Sequence, residues 1–354
     1  MLLAFLGTRG TIPDAEEGTT SILVDNRFLL DVGSEIVSCF ERFRSRWKTE
    51  LKNHLGQRVL SRYGHPTFSK LEYIFITHLH YDHWVGLPHL LHRAQMLERE
   101  YRVQRPYQVF VPKAALSRLK SLLESILGPN VFHFIKIHPV SSGQTISIAD
   151  EYTVTAMSTK HEVLLPKVTR DEKSRTTEMN WSNWSSGGAL AYRIEQTKEK
   201  LDKKKAQDLG INCGRALGIL RRGGQIEVGE AHVSKTDVFK AETTSIVYTG
   251  DTPFDPDLLM FCESADMIIH EASYLETSDR YHLDNHSALE VVLTEMEKLY
   301  GTSKLIVPIH FSRRYSHEDL QESFAQLQRN SSHKLLLPRT GLIILLEKQQ
   351  VQIL

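Results

Sequence analysis

The sequence predicts an α/β protein in which short apolar strands alternate with amphipathic helices. Apolar runs of strand length open the chain, helical periodicity follows them, and further apolar runs near the C-terminus are separated by helical patterns. Short continuous apolar runs are typical of strands buried on both faces, whereas apolar residues at intervals of three or four indicate a helix with one buried face. The predicted fold class therefore rests on two patterns that recur along the chain, the continuous apolar run of a buried strand and the three-to-four-residue spacing of a helix.

The N-terminal part is predicted to begin with strands. The segments 1–6 and 20–31 are predicted strands, and the second folds back at Asp25-Asn26, whose side chains tolerate turn conformations. Between residues 35 and 62 apolar side chains recur at helical spacing, which predicts an amphipathic helix. A short apolar strand at 71–77 and a helical pattern at 84–100 follow.

The rest of the chain continues this alternation around one interruption. Further strands are predicted at 107–111, 152–158, 244–249, 267–270, 305–309 and 342–346. Further helices are predicted at 113–127, 287–299 and 317–327. The charged stretch 196–240 is poor in long apolar runs, so we expect it to be an insertion that projects from a single domain spanning residues 1–354.

Composition indicates an ordinary globular protein without a net positive charge that would attract nucleic acid. Of 354 residues, 41% are hydrophobic and 24% charged, which is enough to bury a sizeable core. Lys plus Arg and Asp plus Glu both number 43, so any contact with nucleic acid must come from local patches. Three scattered cysteines, an apolar opening without a basic leader and no apolar run of roughly 20 residues favour the cytoplasm.

The strongest chemical signal is a cluster of four potential metal ligands within six residues. The segment THLHYDH at 77–83 follows directly after a predicted strand. Solvated histidines have no reason to gather so closely, and a set of imidazoles and carboxylates suits zinc, manganese or iron. The spacing gives two pairs, His78 with His80 and Asp82 with His83, which can face two neighbouring ions. The sequence therefore predicts a two-metal site.

The cluster matches the His-x-His-x-Asp-His hallmark of the metallo-β-lactamase family without a gap. Later segments resemble other motifs of that family in the same order, namely STKH at 158–161, YTGDT at 248–252 and HFS at 310–312. By this resemblance one ion is held by His78, His80 and His161, the other by Asp82, His83 and His310, and Asp251 bridges the two.

The implied pair of ions is suited to hydrolysis. A shared carboxylate keeps two like-charged ions roughly 3.5 to 4 Å apart, and a water between them ionises near neutral pH and becomes a nucleophile. Each ion also keeps open coordination positions, which a structural site would not have. The cofactors implied are two divalent metal ions, with zinc first and manganese or iron as alternatives.

Within that superfamily the chain resembles the ribonuclease Z family, which removes 3′ trailers from precursor tRNA, over nearly its whole length. The resemblance is carried by FLGTRGTIP at 5–13, IHEAS at 269–273, HSA at 286–288 and HFSRRY at 310–315. It implies a four-layer αββα fold, with two mixed sheets packed face to face between helices, and precursor tRNA as the partner. It also implies that His286 protonates the leaving 3′ oxygen, with Glu271 orienting it, and that Asp82 belongs to the catalytic set.

The charged insertion has a counterpart in the same family. The segment LDKKKAQDLGI at 201–211 resembles the short helix of the ribonuclease Z arm, which grips the tRNA elbow away from the cleavage site. Residues 196–222 contain eight Lys or Arg and three Asp or Glu, an excess that can neutralise phosphates without reading sequence. A charge run alone is more often a solvated helix face, and both interpretations stay open. The predicted substrate-binding residues are Lys203, Lys204, Lys205, Arg215, Arg313 and Arg314.

Three segments depart from the family pattern. DVGSE at 31–35 replaces an acidic Gly-Glu-Gly near the first hairpin, so local substrate contacts are expected to differ. NCGR at 212–215 stands where a Gly-Pro pair is typical, which predicts an altered arm tip. The long segment 162–190 contains Trp181 and Trp184, which either stack on bases or pin a polar loop to the body.

Two other functions remain open from sequence. One is a phosphodiesterase or esterase of the same superfamily that acts on a small molecule and uses the arm for dimer contacts. The other is a scaffold that keeps the fold without catalysis. The complete ligand set argues against the scaffold, and the motifs at 269–273 and 286–288 argue against the small-molecule enzyme. The sequence leaves open whether the chain forms a homodimer.

Overall fold

Two mixed β-sheets face each other and carry helices on their outer surfaces. The structure, a computed structural model, describes residues 1–51, 57–101, 105–149, 151–170, 177–186, 188–211, 214–229, 231–278, 285–301, 303–347 and 350–354. This arrangement confirms the predicted four-layer αββα fold.

The strands of the first half of the chain are β1 (Leu2–Gly7), β2 (Ser21–Val24), β3 (Phe28–Leu30), β4 (Tyr73–Phe75), β5 (Tyr107–Pro112), β6 (Ile135–Val140), β7 (Thr145–Ile148), β8 (Tyr152–Ser158), β9 (Leu164–Arg170) and β10 (Thr177–Ser186). Those of the second half are β11 (Leu190–Leu201), β12 (Ile226–Val228), β13 (Ala231–Val233), β14 (Phe239–Tyr248), β15 (Met267–Glu271), β16 (Leu305–Ile309), β17 (Lys334–Leu335), β18 (Ile343–Glu347) and β19 (Gln350–Ile353).

Each sheet combines an antiparallel and a parallel part. The first has the order β19-β18-β1-β2-β3-β4-β5-β6 and is parallel from β3 to β6. The second has the order β17-β16-β15-β14-β11-β8-β7 and is parallel from β14 to β17. The parallel parts matter for function because the carboxyl ends of parallel strands meet at one edge of a sheet.

The α-helices are α1 (Ile36–Arg46), α2 (Gln57–Tyr63), α3 (Tyr81–Trp84), α4 (Gly86–Tyr101), α5 (Leu116–Leu127), α6 (Lys203–Asp208), α7 (Gly214–Arg221), α8 (Lys235–Val238), α9 (Pro256–Cys262), α10 (Leu289–Leu299) and α11 (His317–Asn330). No helix in the described ranges is long and apolar enough to cross a lipid bilayer.

Both faces of the central strands are buried, which explains their continuous apolar sequences. In β1, Leu2, Ala4 and Leu6 pack toward α1, α4 and α5, whereas Leu3 and Phe5 belong to the core between the sheets. The outer face of β14, β15 and β16 packs in the same way against α9, α10 and α11. The sandwich therefore has a central core between its sheets and a further core under each helical layer.

The structure changes two of the predicted elements. The single helix predicted for 35–62 is interrupted, because α1 passes into a π-helical turn at Trp47–Leu51 before α2 begins. The polar loop considered for 162–190 contains an antiparallel hairpin of β9 and β10 instead. The side chains of Trp181 and Trp184 lie outside the described part, so their predicted roles stay open.

Several strands were missed from sequence, and four of them, β6, β7, β17 and β19, lie at sheet edges. An edge strand has one unpaired side and tolerates polar residues and proline, so its periodicity is weak. Lys136 and Pro139 interrupt β6 in this way, and only its first and last residues are buried.

The predicted insertion at 196–240 contains a small module with its own core. Strands β11 and β14 pair from Tyr192 with Tyr248 out to Leu201 with Phe239. Residues 202–238 connect these strand ends and contain α6, α7, α8 and the hairpin of β12 and β13. Buried side chains from these elements form the separate core, with Ala206, Leu220 and Val238 among them. We refer to residues 202–238 as the basic module.

Candidate metal centre

The predicted ligands follow strands of both sheets at one edge of the sandwich. His78 and His80 come after β4, His161 after β8, Asp251 after β14 and His310 after β16. Asp82 and His83 belong to α3, which begins at the end of the same loop as His80. Separate strands, far apart in sequence, thus deliver their side chains to one place.

Three imidazoles and one carboxylate form the first group of this centre. The Nδ1 atom of His80 lies 3.0 Å from Nε2 of His78 and 2.9 Å from Nε2 of His161. The Oδ2 atom of Asp251 lies 3.7 Å from Nε2 of His78 and 3.9 Å from Nε2 of His161. One divalent ion can be reached by all four side chains.

Asp82, His83 and His310 form the second group beside the first. Oδ2 of Asp82 lies 3.1 Å from Nε2 of His310 and 3.4 Å from Nε2 of His83. Asp251 faces this group too, with Oδ1 at 3.3 Å from His83 Nε2 and Oδ2 at 3.3 Å from His310 Nε2. The structure therefore brings all seven predicted ligands together, with Asp251 between the two groups.

The residues present fit a pair of divalent ions. Nε2 of His83 and Oδ1 of Asp251 are buried atoms without a hydrogen-bond partner. Leaving such atoms unsatisfied costs free energy, and each points into a set of nitrogen and oxygen donors that suits a divalent metal. Metal binding would satisfy both atoms.

The protonation states of four ligands suit metal binding, whereas those of His83 do not, because Asp251, Asp82 and Asp31 outweigh its burial and raise its pKa, so that metal binding would have to displace a proton there. Burial lowers the pKa of His78, and burial together with His161 lowers that of His80 to about 4, so both imidazoles are neutral at neutral pH. Burial opposes the charged form of Asp82 and Asp251, yet the neighbouring imidazoles hold the pKa of both carboxyls below the usual range. Neutral imidazoles and ionised carboxylates are the forms that ligate metals.

Protein groups behind the ligands fix the orientation of the imidazole rings. Nδ1 of His161 donates to the carbonyl oxygen of Asn285 at 2.8 Å, and Nδ1 of His310 lies 2.8 Å from Oγ of Ser273. Nδ1 of His78 lies 3.0 Å from Oγ1 of Thr77. With the outer nitrogens engaged in this way, Nε2 of each ring faces the centre.

The sequence analysis missed Asp31, which stood out only as a departure from the family pattern. Its Oδ2 atom lies 2.7 Å from Nδ1 of His83 and also accepts from the hydroxyls of Thr77 and Tyr248. Its Oδ1 atom accepts from the backbone N–H of Thr77 at 2.7 Å. Asp31 therefore orients a ligand and the start of the ligand loop together, and an acidic residue directly after a buried strand was the available signal.

Strained backbone positions surround the centre, as is common at functional sites. His310 has a φ of +66° and Asp31 a φ of +54°, both in the left-handed region that non-glycine residues rarely adopt. Gly250 has a φ of +60°, and a β-carbon there would lie 2.8 Å from the side chain of Thr77. The loop that carries Asp251 can therefore pack against the ligand loop only with glycine at this position.

His286 and Glu271 form an ion pair beside the metal ligands. Nδ1 of His286 lies 3.4 Å from Oε1 of Glu271 and 3.1 Å from Oγ of Ser273. Glu271 is fully buried and accepts from the backbone N–H groups of Ser273 and Ser287. Burial opposes the charged form of His286, but Glu271 raises its pKa to about 9, so the imidazole is protonated at neutral pH.

The predicted substrate-binding residues fall into two separate places. Arg313 and Arg314 are exposed and follow His310 closely, and the Arg314 guanidinium lies 5.0 Å from the ring centre of Tyr274. The other four are exposed in the basic module: Lys203, Lys204 and Lys205 on α6, and Arg215 on α7.

The basic module is far from the metal centre. The backbone N–H of Leu190 donates to the carbonyl of Thr77 at 3.0 Å, so β11 begins beside the ligand loop. This strand has 12 residues and ends at Leu201, directly before the module. At about 3.3 Å per residue, its far end lies roughly 36 Å from the ligand loop.

Comparison with known proteins identifies relatives over most of the chain. A model described as a beta-lactamase superfamily domain matches residues 27–199. The chain is 28% identical over 340 residues to a ribonuclease Z of Thermococcus kodakarensis, covering 95% of this chain and 91% of that protein. It is 26% identical over 323 residues to a ribonuclease Z of Natronomonas pharaonis, covering 89% and 88%.

The fold also agrees with a solved structure. The crystal structure of human tRNase Z, short form, aligns with a TM-score of 0.56 at 16% identity, covering 98% of this chain and 100% of that one. At this identity the likeness concerns the fold, and it confirms the architecture predicted from the motifs.

Proposed function

We propose that the chain is a member of the metallo-β-lactamase superfamily and a metal-dependent endoribonuclease that removes the 3′ trailer of precursor tRNA. Two relatives that match most of its length are named ribonuclease Z. The observation that carries the proposal is the distance of roughly 36 Å between the metal centre and the basic module, from the rise of β11. A small phosphodiester cannot reach both places, whereas a folded RNA can.

The proposed cofactors are two zinc ions, with manganese and iron able to use the same types of ligand. Such ions, when bound, would stabilise negative charge on the phosphate and would lower the pKa of a bound water. In the proposed assignment His78, His80 and His161 hold the first ion, Asp82, His83 and His310 hold the second, and Asp251 bridges both.

The proposed general acid is His286. Its Nδ1 atom faces Glu271 and Ser273, so Nε2 is the ring nitrogen that can donate a proton to the substrate. The buried Glu271 carboxylate keeps the ring in this orientation and stabilises its positive charge. Cleavage of the phosphodiester then requires that Nε2 donate its proton to the leaving 3′ oxygen as the bond breaks.

The proposed phosphate contacts lie at both ends of the substrate path. Arg313 and Arg314 are exposed beside the ligand His310 and can neutralise phosphates next to the cleavage site. The lysines of α6 can neutralise phosphates of a distant part of the same RNA, because they point into solvent and make no side-chain ion pair within the described ranges. These contacts position the RNA without reading its sequence.

The direct test is incubation of the purified, zinc-loaded protein with a precursor tRNA, followed by mapping of the cut. We expect one cut at the junction of the mature 3′ end and the trailer, next to the discriminator base. The Asp251→Ala variant, purified in the same way, controls for contaminating nucleases. Absence of cleavage by a protein that still hydrolyses a nitrophenyl phosphodiester would favour the small-molecule enzyme.

The basic module is expected to determine RNA binding but not hydrolysis. Because Leu201 pairs with Phe239, residues 202–238 can be replaced by a short Gly-Ser turn that joins β11 to β14. The replaced residues include seven Lys or Arg and five Asp or Glu. Loss of the cations that contact RNA should weaken binding of precursor tRNA and flatten its salt dependence, by about 0.7 to 0.9 in log–log slope for each phosphate that is no longer neutralised. Hydrolysis of a nitrophenyl phosphodiester should stay nearly unchanged, which the two assays measure in parallel.

A milder variant keeps the module folded. Lys203, Lys204 and Lys205 are replaced together by glutamine, and the matched control replaces three other exposed lysines, Lys120, Lys136 and Lys334. Both variants lose the same net charge, so a difference between their affinities for precursor tRNA would show a local role of α6. Equal binding of precursor tRNA by the two variants would refute the role assigned to the module.

A further inference from the structure

Tyr81 is an exposed aromatic residue directly between two of the proposed metal ligands in the chain. It stands between the predicted ligands His80 and Asp82 as the first residue of α3. Its relative exposure is 65%, the highest among the large hydrophobic side chains of the described residues. Other aromatic side chains nearby are buried, such as Trp84 at 7% and Tyr274 at 5%.

The backbone of Tyr81 is held firmly although its ring is not. The carbonyl of Tyr81 accepts from the backbone N–H of Val85 at 3.0 Å, and that of His80 accepts from His83 at 3.1 Å. Across the part of the chain that the structure describes, the ring of Tyr81 makes no aromatic contact and its hydroxyl no hydrogen bond. A rigid turn thus presents an aromatic face to solvent beside the ligands.

A second exposed apolar side chain lies two residues from a glycine that contacts the ligand His310. Gly10 lies against His310, since a β-carbon at this glycine would be 3.0 Å from Cε1 of the imidazole. Ile12 follows two residues later and is 52% exposed. Two exposed apolar side chains therefore lie within two residues of backbone that carries or contacts the ligands, which fits a ligand with both an anionic and a flat apolar part.

We propose that Tyr81 stacks on the base of a nucleotide that flanks the scissile phosphate. This inference rests on the proposed function, because the base that it invokes belongs to the RNA substrate proposed above. Every base has a π-face, so stacking adds affinity with little dependence on sequence. Tyrosine suits this role because it offers a large, rigid surface and loses little conformational entropy on binding.

The test compares precursor tRNAs that differ in one base. One RNA is intact, and two others carry an abasic nucleotide immediately 5′ or 3′ of the cleavage site. Single-turnover cleavage at subsaturating enzyme reports kcat/KM for wild type, Tyr81→Ala and Tyr81→Phe. The matched control is Phe132→Ala, which also removes a partly exposed aromatic ring, with 36% exposure. Phe132 lies before the start of β6, whereas the ligand loop follows the end of the parallel strand β4.

We expect Tyr81→Ala to lower kcat/KM on the intact RNA by about 5- to 150-fold, the effect of one stacked base. On one of the two abasic RNAs the same substitution should have no effect, because the stacking partner is already missing. Tyr81→Phe and Phe132→Ala should behave like wild type on all three RNAs. Elemental analysis should find unchanged metal content in each variant.

Two results would overturn the inference while leaving the proposed function intact. One is an equal loss for Tyr81→Ala on all three RNAs, which would indicate a role in holding the ligand loop. The other is wild-type activity of Tyr81→Ala on the intact RNA. Failure of the proposed function is recognised separately, because the wild-type protein would then cleave none of the three RNAs. That result would also overturn the proposal that Tyr81 stacks on an RNA base.

Discussion

Replacement of Asp251 by alanine is expected to remove both metal ions and to abolish hydrolysis. The Asp251 carboxylate faces both groups of ligands, with its oxygens 3.3 Å from His83 Nε2 and from His310 Nε2 and 3.7 Å from His78 Nε2. Without this anion, two like-charged ions would lose the bridge that holds them close together. Elemental analysis after purification without chelator measures the result, and the wild-type protein should contain two ions per chain.

Two further variants make this expectation specific. Asp82→Ala should mainly weaken the second ion, because Asp82 contacts only His83 and His310 among the predicted ligands. Asp255→Asn serves as the matched control, since Asp255 is equally buried in the same loop but caps α9 and pairs with Lys160. Retention of one full ion by Asp251→Ala would contradict the bridging role, and one ion or none in the wild type would contradict the two-metal centre.

Replacement of His286 by alanine should lower turnover by roughly 100- to 10,000-fold, the range expected for loss of a general acid. Metal content and affinity for precursor tRNA should stay near normal if His286 is the acid, because it is not one of the seven proposed ligands, although it also lies within reach of Asp251 and His310. Its Nδ1 atom is 3.4 Å from Glu271 and 4.0 Å from the nearest oxygen of Asp251. Elemental analysis, equilibrium binding and single-turnover kinetics measure the three quantities separately.

The leaving group separates acid catalysis from a structural role of His286. A nitrophenolate leaves as an anion and needs no proton, so the deficit of His286→Ala should shrink on a nitrophenyl phosphodiester. An equally large loss on this ester and on precursor tRNA would speak for a structural role. Loss of metal from the variant would instead make His286 a ligand.

The ligand loop could be predicted from sequence because its information is local. His78, His80, Asp82 and His83 lie within six residues after a short apolar strand, and few structural needs explain such a cluster. The buried strands were predictable for a similar reason, since burial on both faces imposes a continuous apolar run. Edge strands such as β6 escaped detection because an unpaired side relaxes this requirement.

Asp31 and Tyr81 show where sequence reasoning ended. Both were visible in the sequence, but a carboxylate after a strand and an aromatic residue inside a metal motif each have several ordinary uses. Asp31 is distinguished by its contact with His83, a residue 52 positions away. Tyr81 is distinguished by the solvent exposure of its ring, which no local pattern records.

The sequence by itself determined the types of metal ligand, the alternating architecture and the basic character of the inserted stretch, because each follows from neighbouring residues. Only the tertiary structure decided that Asp251 lies between two groups of ligands and that the basic module lies roughly 36 Å from them along β11. Distances of this kind depend on how strands from two sheets pair and pack. They are set by contacts between residues far apart in the chain, so no local pattern specifies them.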